Sequence, residues 1–139
     1  MTNKADSKNK VVMLVDDDNI DNFINKKVII NSKFTDNVCI HTTTNSALEF
    51  LKNMDELKLD SSSSILPSHI FLDINMPVSD GFHFLEEFNK LPAKITAEVK
   101  IVMLTSSLNP NDQVKSEAYK NVIHFLSKPL TVDDLSKMN

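Results

Sequence analysis

The stretch Val11-Val12-Met13-Leu14-Val15-Asp16-Asp17-Asp18 decides the fold, because five apolar residues run without interruption into three carboxylates. An apolar run this short, with no polar residue alternating through it, suits a strand buried on both faces, as in a parallel sheet. Residues 70–72, 101–104 and 122–126 repeat the pattern, and residues 38–42 form a weaker, alternating version. Helical spacing fills the intervals. Ile20, Phe23, Ile24 and Val28 recur three and four apart, as do Ala47, Phe50, Leu51 and Met54, and later Phe82, Leu85 and Phe88. Spacing of that kind gives a helix one apolar face, which is expected to be buried.

Start signals agree with these helices. Asp18 or Asn19 can cap the first, Asp80 precedes the third, Asn109-Pro110 opens the fourth, and Thr131 with Asp134 three residues on forms a capping-box pattern. Strands alternating with helices predict a doubly wound α/β domain with helices on both faces of the sheet. Residues 1–10 show no periodicity and are expected to be a solvated, disordered tail, with residues 11–139 forming the domain. Residues 53–67 contain four consecutive serines, Ser61 to Ser64, and are expected to include a mobile surface loop.

The composition narrows the function. The chain has 139 residues, 41% of them hydrophobic and 24% charged, enough for one ordinary domain. Its net charge of −4 argues against gripping a nucleic-acid backbone, whose affinity comes from clustered Lys and Arg, and favours a protein partner or a small ligand. The lone cysteine, Cys39, reads as a small apolar strand residue in a reducing compartment. The first apolar run is too short for a signal-peptide core or a membrane span, so no membrane association is expected and a cytoplasmic location is. With Gly81 the single glycine, there is no Gly-rich phosphate loop. His41, His69, His83 and His124 have no metal-ligand spacing and read as structural or exposed.

Ligand crevices of open parallel sheets lie at the carboxyl ends of the strands. The residues there are Asp16, Asp17 and Asp18 after the first run, Asp73 after the third strand, Thr105 and Ser106 after the fourth, and Ser127, Lys128 and Pro129 after the fifth. Clustered carboxylates repel one another unless a cation neutralises them, and an all-oxygen set suits Mg²⁺, with Mn²⁺ as an alternative. A carboxylate beside such an ion can be a nucleophile toward a phosphoryl group, with an ammonium and a hydroxyl sharing the charge on the transferring oxygens. Asp73, Thr105 and Lys128 supply that set. Read alone, each has an ordinary alternative: a capped acidic turn, a strand-end hydroxyl, a surface lysine.

Taken together, four ordered motifs carry a resemblance. Val-Asp-Asp-Asp at 15–18, Phe-Leu-Asp-Ile-Asn-Met-Pro at 71–77, Met-Leu-Thr-Ser at 103–106 and Phe-Leu-Ser-Lys-Pro-Leu at 125–130 resemble the receiver domains of two-component response regulators, of the chemotaxis-regulator type. The resemblance implies a flavodoxin-like five-stranded parallel sheet of order 2-1-3-4-5. It implies Asp73 as the phosphoacceptor, Asp17, Asp73 and the Asn75 carbonyl as direct metal ligands, and Asp16 as a ligand through water. It further implies Thr105 as the switch hydroxyl, Lys128 as the phosphate-binding lysine, Phe125 as an aromatic that turns inward on phosphorylation, and a cis Lys128–Pro129 bond. The partners would be a sensor histidine kinase or histidine phosphotransfer protein and a downstream protein target. The chain would then be no enzyme in the ordinary sense, but a switch with self-directed phosphoryl transfer and autodephosphorylation.

Two other classes remain open at this point. Asp16 and Asp18 also resemble the paired aspartates of haloacid-dehalogenase-type phosphatases, although Ile20 stands where Thr or Val is usual. A pseudo-receiver that only binds proteins would ordinarily lack one of the site residues, and none is missing. The sequence also departs from the receiver pattern: Tyr119-Lys120-Asn121-Val122 has no glycine, so Asn121 is expected to supply a left-handed turn, and Val132, Leu135 and Met138 leave a last helix of little more than two turns.

Overall fold

The computed structural model describes residues 10–56, 66–76 and 80–138. Of the expected tail only Lys10 falls among them, and residues 57–65 of the expected loop lie outside. The elements run β1 (Val11–Val15), α1 (Asn19–Asn31), β2 (Asn37–His41), α2 (Thr44–Glu56), β3 (His69–Asp73), α3 (Gly81–Phe88), α4 (Ala93–Thr96), β4 (Lys100–Thr105), α5 (Pro110–Ser116), β5 (Val122–Ser127) and α6 (Val132–Ser136). The strands form one parallel sheet in the order β2-β1-β3-β4-β5, as the motifs implied.

Strand position explains the hydrophobic pattern. β1, β3 and β4 are central and buried on both faces, hence their unbroken apolar runs. β2 and β5 are edges and half-exposed, which fits the alternation in β2 but departs from the fully buried reading of residues 122–126. Alternate residues feed two cores. Met13, Val15, Leu72 and Met103 pack with Leu51, Phe84 and Phe88 of α2 and α3, whereas Val12, Leu14, Phe71 and Val102 pack with Ile29 of α1 and Leu135 of α6. Each such large side chain taken from water contributes roughly 1.5–3 kcal/mol.

The caps hold where the sequence placed them. Asp18 accepts from the backbone N–H of Ile20 (2.8 Å) and Asp21 (3.1 Å), Asp80 from that of His83 (2.9 Å), and Asn109 from that of Asn111 (2.9 Å). Thr131 and Asp134 complete a reciprocal capping box, at 3.0 Å in both directions.

Three expectations need correction. Most of the apolar stripe of α1 faces outward: Ile20, Phe23 and Ile24 are exposed, Val28 alone packs partly on the core, and the buried positions are Asn22, Asn25 and Ile29. Tertiary hydrogen bonds decide this, since Asn22 Nδ2 donates to the Asp16 carbonyl (2.8 Å) and Asn25 Oδ1 accepts from the Leu130 N–H (2.9 Å). Second, Asn121 adopts no left-handed turn; among the described residues Lys33 alone has positive φ, at 63°. Asn121 instead ties down the approach to β4, its Nδ2 donating to the carbonyls of Thr96 (2.5 Å) and Val99 (2.8 Å). Third, the sequence reading left out the single turn α4, which follows Pro92 and seats the fully buried Ile95.

Candidate functional site

Backbone geometry at the carboxyl edge of the sheet brings three loops together. After β1, the Asp16 N–H donates to the His41 carbonyl (3.1 Å) and its carboxylate accepts from the Asp18 N–H (2.9 Å), while Asp18 itself caps α1. After β3, the Ile74 N–H donates to the Leu104 carbonyl (3.0 Å), and the Asn75 N–H reaches the Asp73 carboxylate (3.3 Å). Gly81 opens α3 directly against this turn. A Cβ there would lie 3.0 Å from both the Asp73 carbonyl oxygen and Ile74 Cα, and the Gly81 N–H donates to the Ile74 carbonyl (2.9 Å). The one glycine of the chain thus stands where helix and strand backbones meet closely. After β5, the Lys128 N–H donates to the Thr105 carbonyl (2.8 Å), the Lys128–Pro129 bond is cis, and Leu130 is held by Asn25.

These loops converge their side chains. One carboxylate oxygen each from Asp16, Asp17 and Asp73 lies within 4.8 Å of the others. Lys128 Nζ reaches Asp21 (2.7 Å), Asp16 (3.1 Å) and Asp73 (3.4 Å). Asn75 and Ser106 line the same cleft.

Burial sets the electrostatics. Asp16 and Asp73 are each 3% exposed, whereas Asp17 faces solvent. Desolvation, reinforced by the Asp16 charge and only partly offset by Lys128, pushes the Asp73 carboxyl up to about 6. Burial also raises Asp16, against the opposing Asp18 N–H and Lys128. Burial alone would lower the Lys128 ammonium, but its hydrogen bonds to Asp21 and Asp16 and the Asp73 charge hold it well above its ordinary value. One ammonium among five aspartates leaves the cleft strongly negative. An all-oxygen donor set of this kind fits a hard divalent cation of the Mg²⁺ or Mn²⁺ type.

The structure therefore gathers Asp16, Asp17, Asp73, Asn75 and Lys128 in one cleft. Thr105 and Phe125 stand apart from it. The Thr105 side chain is fully buried, donates to the Ser107 carbonyl (2.9 Å) and accepts from the Ser107 N–H (3.1 Å). Phe125 is half-buried, beside Met103 in the strand register and packed on the core under α2 and α3. Sequence reading missed Asp21, the shortest contact of Lys128. Its only signal was an acidic residue in the first turn of a helix, which favourable interaction with the helix dipole explains equally well.

Comparison with known proteins gives this site a family. The family model for the response regulator receiver domain matches residues 12–139, and the chain belongs to that family, the receiver domains of two-component signalling. Response regulator Rcp1 of Synechocystis sp. is 31% identical over 130 residues, covering 93% of this chain and 83% of that protein. Among solved structures, a two-component response regulator from Cytophaga hutchinsonii superposes with a TM-score of 0.82 at 32% identity, covering 93% of this chain and 92% of that one. The Mn²⁺-bound form of Rcp1 superposes with a TM-score of 0.68 at 30% identity, covering 93% and 88%. The family match sets aside the haloacid-dehalogenase reading of Asp16 and Asp18.

Proposed function

We propose that this receiver accepts a phosphoryl group on an Asp73 carboxylate oxygen from a phosphohistidine of a sensor kinase or phosphotransfer protein. The observation that carries the reading is the convergence of Asp16, Asp17 and Asp73 oxygens within 4.8 Å, with Lys128 Nζ 3.4 Å from Asp73. In the transfer the P–N bond to histidine breaks as the Asp73 Oδ–P bond forms, giving an acyl phosphate and a neutral imidazole that has taken up a proton, and water later attacks the phosphorus, releasing inorganic phosphate and returning the carboxylate. Asp17, Asp73 and the Asn75 carbonyl would hold Mg²⁺ or Mn²⁺ directly, and Asp16 through water. When bound, the cation disperses charge on the transferring oxygens. Asp73 must be ionised to attack, a state that burial opposes and that a cation held by these residues would favour. Lys128 acts on the phosphoryl oxygens as a point charge.

Neighbouring exposed apolar surfaces support this choice of partners. Ile20, Phe23 and Ile24 form an exposed apolar strip on the helix that begins beside Asp17 and Asp18, and it supports docking of the phosphodonor there. For output, Thr105 would leave Ser107 for the phosphoryl group and Phe125 would turn into the space, altering the surface of α5, β5 and α6, on which Val114, Ile123 and Val132 are exposed, and of the loop before α5, where Leu108 is exposed. Moving such an equilibrium from mostly off to mostly on needs about 5.5 kcal/mol, which one neutral hydrogen bond of roughly 1 kcal/mol cannot supply. Lys128 and the cation must share the task.

The test is incubation with acetyl phosphate or beryllofluoride plus Mg²⁺, followed by mass and NMR identification of the modified residue. The adduct is expected on Asp73 and is expected to disappear in Asp73→Asn. Full incorporation into Asp73→Asn would refute the assignment.

A further inference from the structure

Asp21 is the residue in this cleft that the phosphoacceptor chemistry does not use. It stands in the first turn of α1, its backbone N–H fixed by the cap residue Asp18 (3.1 Å), and its carboxylate lies outside the group formed by Asp16, Asp17 and Asp73. Yet it makes the shortest contact to Lys128, 2.7 Å against 3.1 Å to Asp16 and 3.4 Å to Asp73. Among the described residues Lys128 is the one ammonium within ion-pair distance of Asp16 or Asp73. Of its three N–H donors, the ammonium gives one hydrogen bond to Asp21 and one to Asp16, and it lies at ion-pair distance from Asp73.

We propose that Asp21 is a positioning residue that draws the Lys128 ammonium toward α1, so that Asp16 and Asp73 stay available to a divalent cation. This rests on the reading of the cleft as a cation-assisted phosphoacceptor site. Without Asp21, the ammonium would turn its freed donor to the two remaining carboxylates and compete with the cation for their oxygens. The same contact makes Asp21 a rival for Lys128 when a phosphoryl group arrives on Asp73. The Asp73 contact is the longest of the three and carries no hydrogen bond, so the ammonium sits beside the place where it is later needed while its bonds are made to Asp21 and Asp16.

The test is a Mg²⁺ titration of the whole chain followed by NMR, with no phosphodonor present, on the parent, Asp21→Asn, Asp21→Glu, Lys128→Ala and the Asp21→Asn/Lys128→Ala double variant. Asp21→Asn is expected to bind Mg²⁺ about tenfold more weakly, a coupling in the range found for residues sharing one ion-pair network. In the Lys128→Ala background the same substitution is expected to change affinity by less than about twofold, since only its long-range, screened charge remains. Asp21→Glu should restore most of the affinity, because a longer carboxylate still reaches the ammonium. In the metal-free protein the Lys128 ammonium signal should move in Asp21→Asn, with the amide spectrum of β2 and α2 unchanged. Equal affinity of Asp21→Asn and the parent overturns the inference, and so does equal weakening in both backgrounds. A parent that binds no Mg²⁺ overturns the phosphoacceptor reading along with it, whereas Mg²⁺ binding by the parent that Asp21→Asn leaves unchanged overturns the Asp21 role alone.

Discussion

Replacing Asp73 by Asn should make the metal-free protein more stable near neutral pH. The carboxyl is 3% exposed and is pushed up to about 6 from an ordinary 3.8, first by burial and then by Asp16. A raised carboxyl pKa means that the folded state binds more protons than the unfolded state between these two values. Stability therefore falls as pH rises through that window, and the loss is complete above about 6. Holding an ionised carboxylate about two pH units against its preference costs about 3 kcal/mol. Asparagine has the same shape and no charge, and Lys128 keeps its two shorter contacts, to Asp21 and Asp16. Urea unfolding in the presence of a chelator should show Asp73→Asn more stable than the parent by about 2–3 kcal/mol near pH 7, and thermal melts should show a midpoint raised by roughly 5–10 °C. The advantage should shrink as the pH is lowered and vanish below about 3.8, where both states of the parent protonate Asp73. Adding Mg²⁺ should narrow it at neutral pH by stabilising the parent alone. Equal stability at neutral pH, or a difference that does not change with pH, would refute the account of Asp73 as a carboxylate held against its own solvation.

Acid should act oppositely through His69, a buried imidazole held down to about 4 by desolvation and by Lys10, Lys100 and His124. The folded state binds fewer protons there, so the stability contributed by neutral His69 is lost as pH falls from about 6.5 toward about 4. His69→Phe, which keeps the edge contact with Phe34 and removes a buried Nε2 without a partner, should flatten this acid limb in urea or thermal melts. Gly81→Ala should destabilise by about 1–3 kcal/mol in chemical denaturation, because both atoms its Cβ would meet at 3.0 Å are backbone and cannot turn aside. Thr105→Ala should still take beryllofluoride on Asp73 yet lose most of the NMR change over residues 110–130, and a full parental change there would remove Thr105 from the switch.

Much of this fold was legible because central parallel strands leave an unmistakable trace. The runs ending at Asp16, Asp73 and Thr105 are apolar on both faces, so the positions of their polar ends followed directly. The caps at Asp80, Asn109 and Thr131 were legible for a different reason, being local bonds between residues two or three apart. Tertiary partners were not. Nothing within α1 reveals that Asn22 and Asn25 have backbone groups waiting for them at Asp16 and Leu130, so the apolar stripe was assigned inward. Asp21 was overlooked likewise, since its partner is 107 residues away in the chain. Thr105 was placed correctly at a strand end, but its hydroxyl is bound to Ser107, a local turn that composition does not betray.

The polar inner face of α1 has a mechanical consequence. Apolar contacts tolerate sliding, because one methyl group serves nearly as well as the next; a hydrogen bond of fixed length and direction does not. Asn22 grips the loop that carries Asp16, and Asn25, less than one turn further along, grips the loop just beyond Lys128. The helix is thus a calliper set across the cleft, with its two jaws on the acid and on the base. Rotating it by a single residue, about 100°, would open both jaws at once and strand two buried backbone groups. The spacing of the opposing charges is therefore fixed from the helix side as well as from the strands, and a partner pressing on Ile20 and Phe23 would lean on the frame of that calliper.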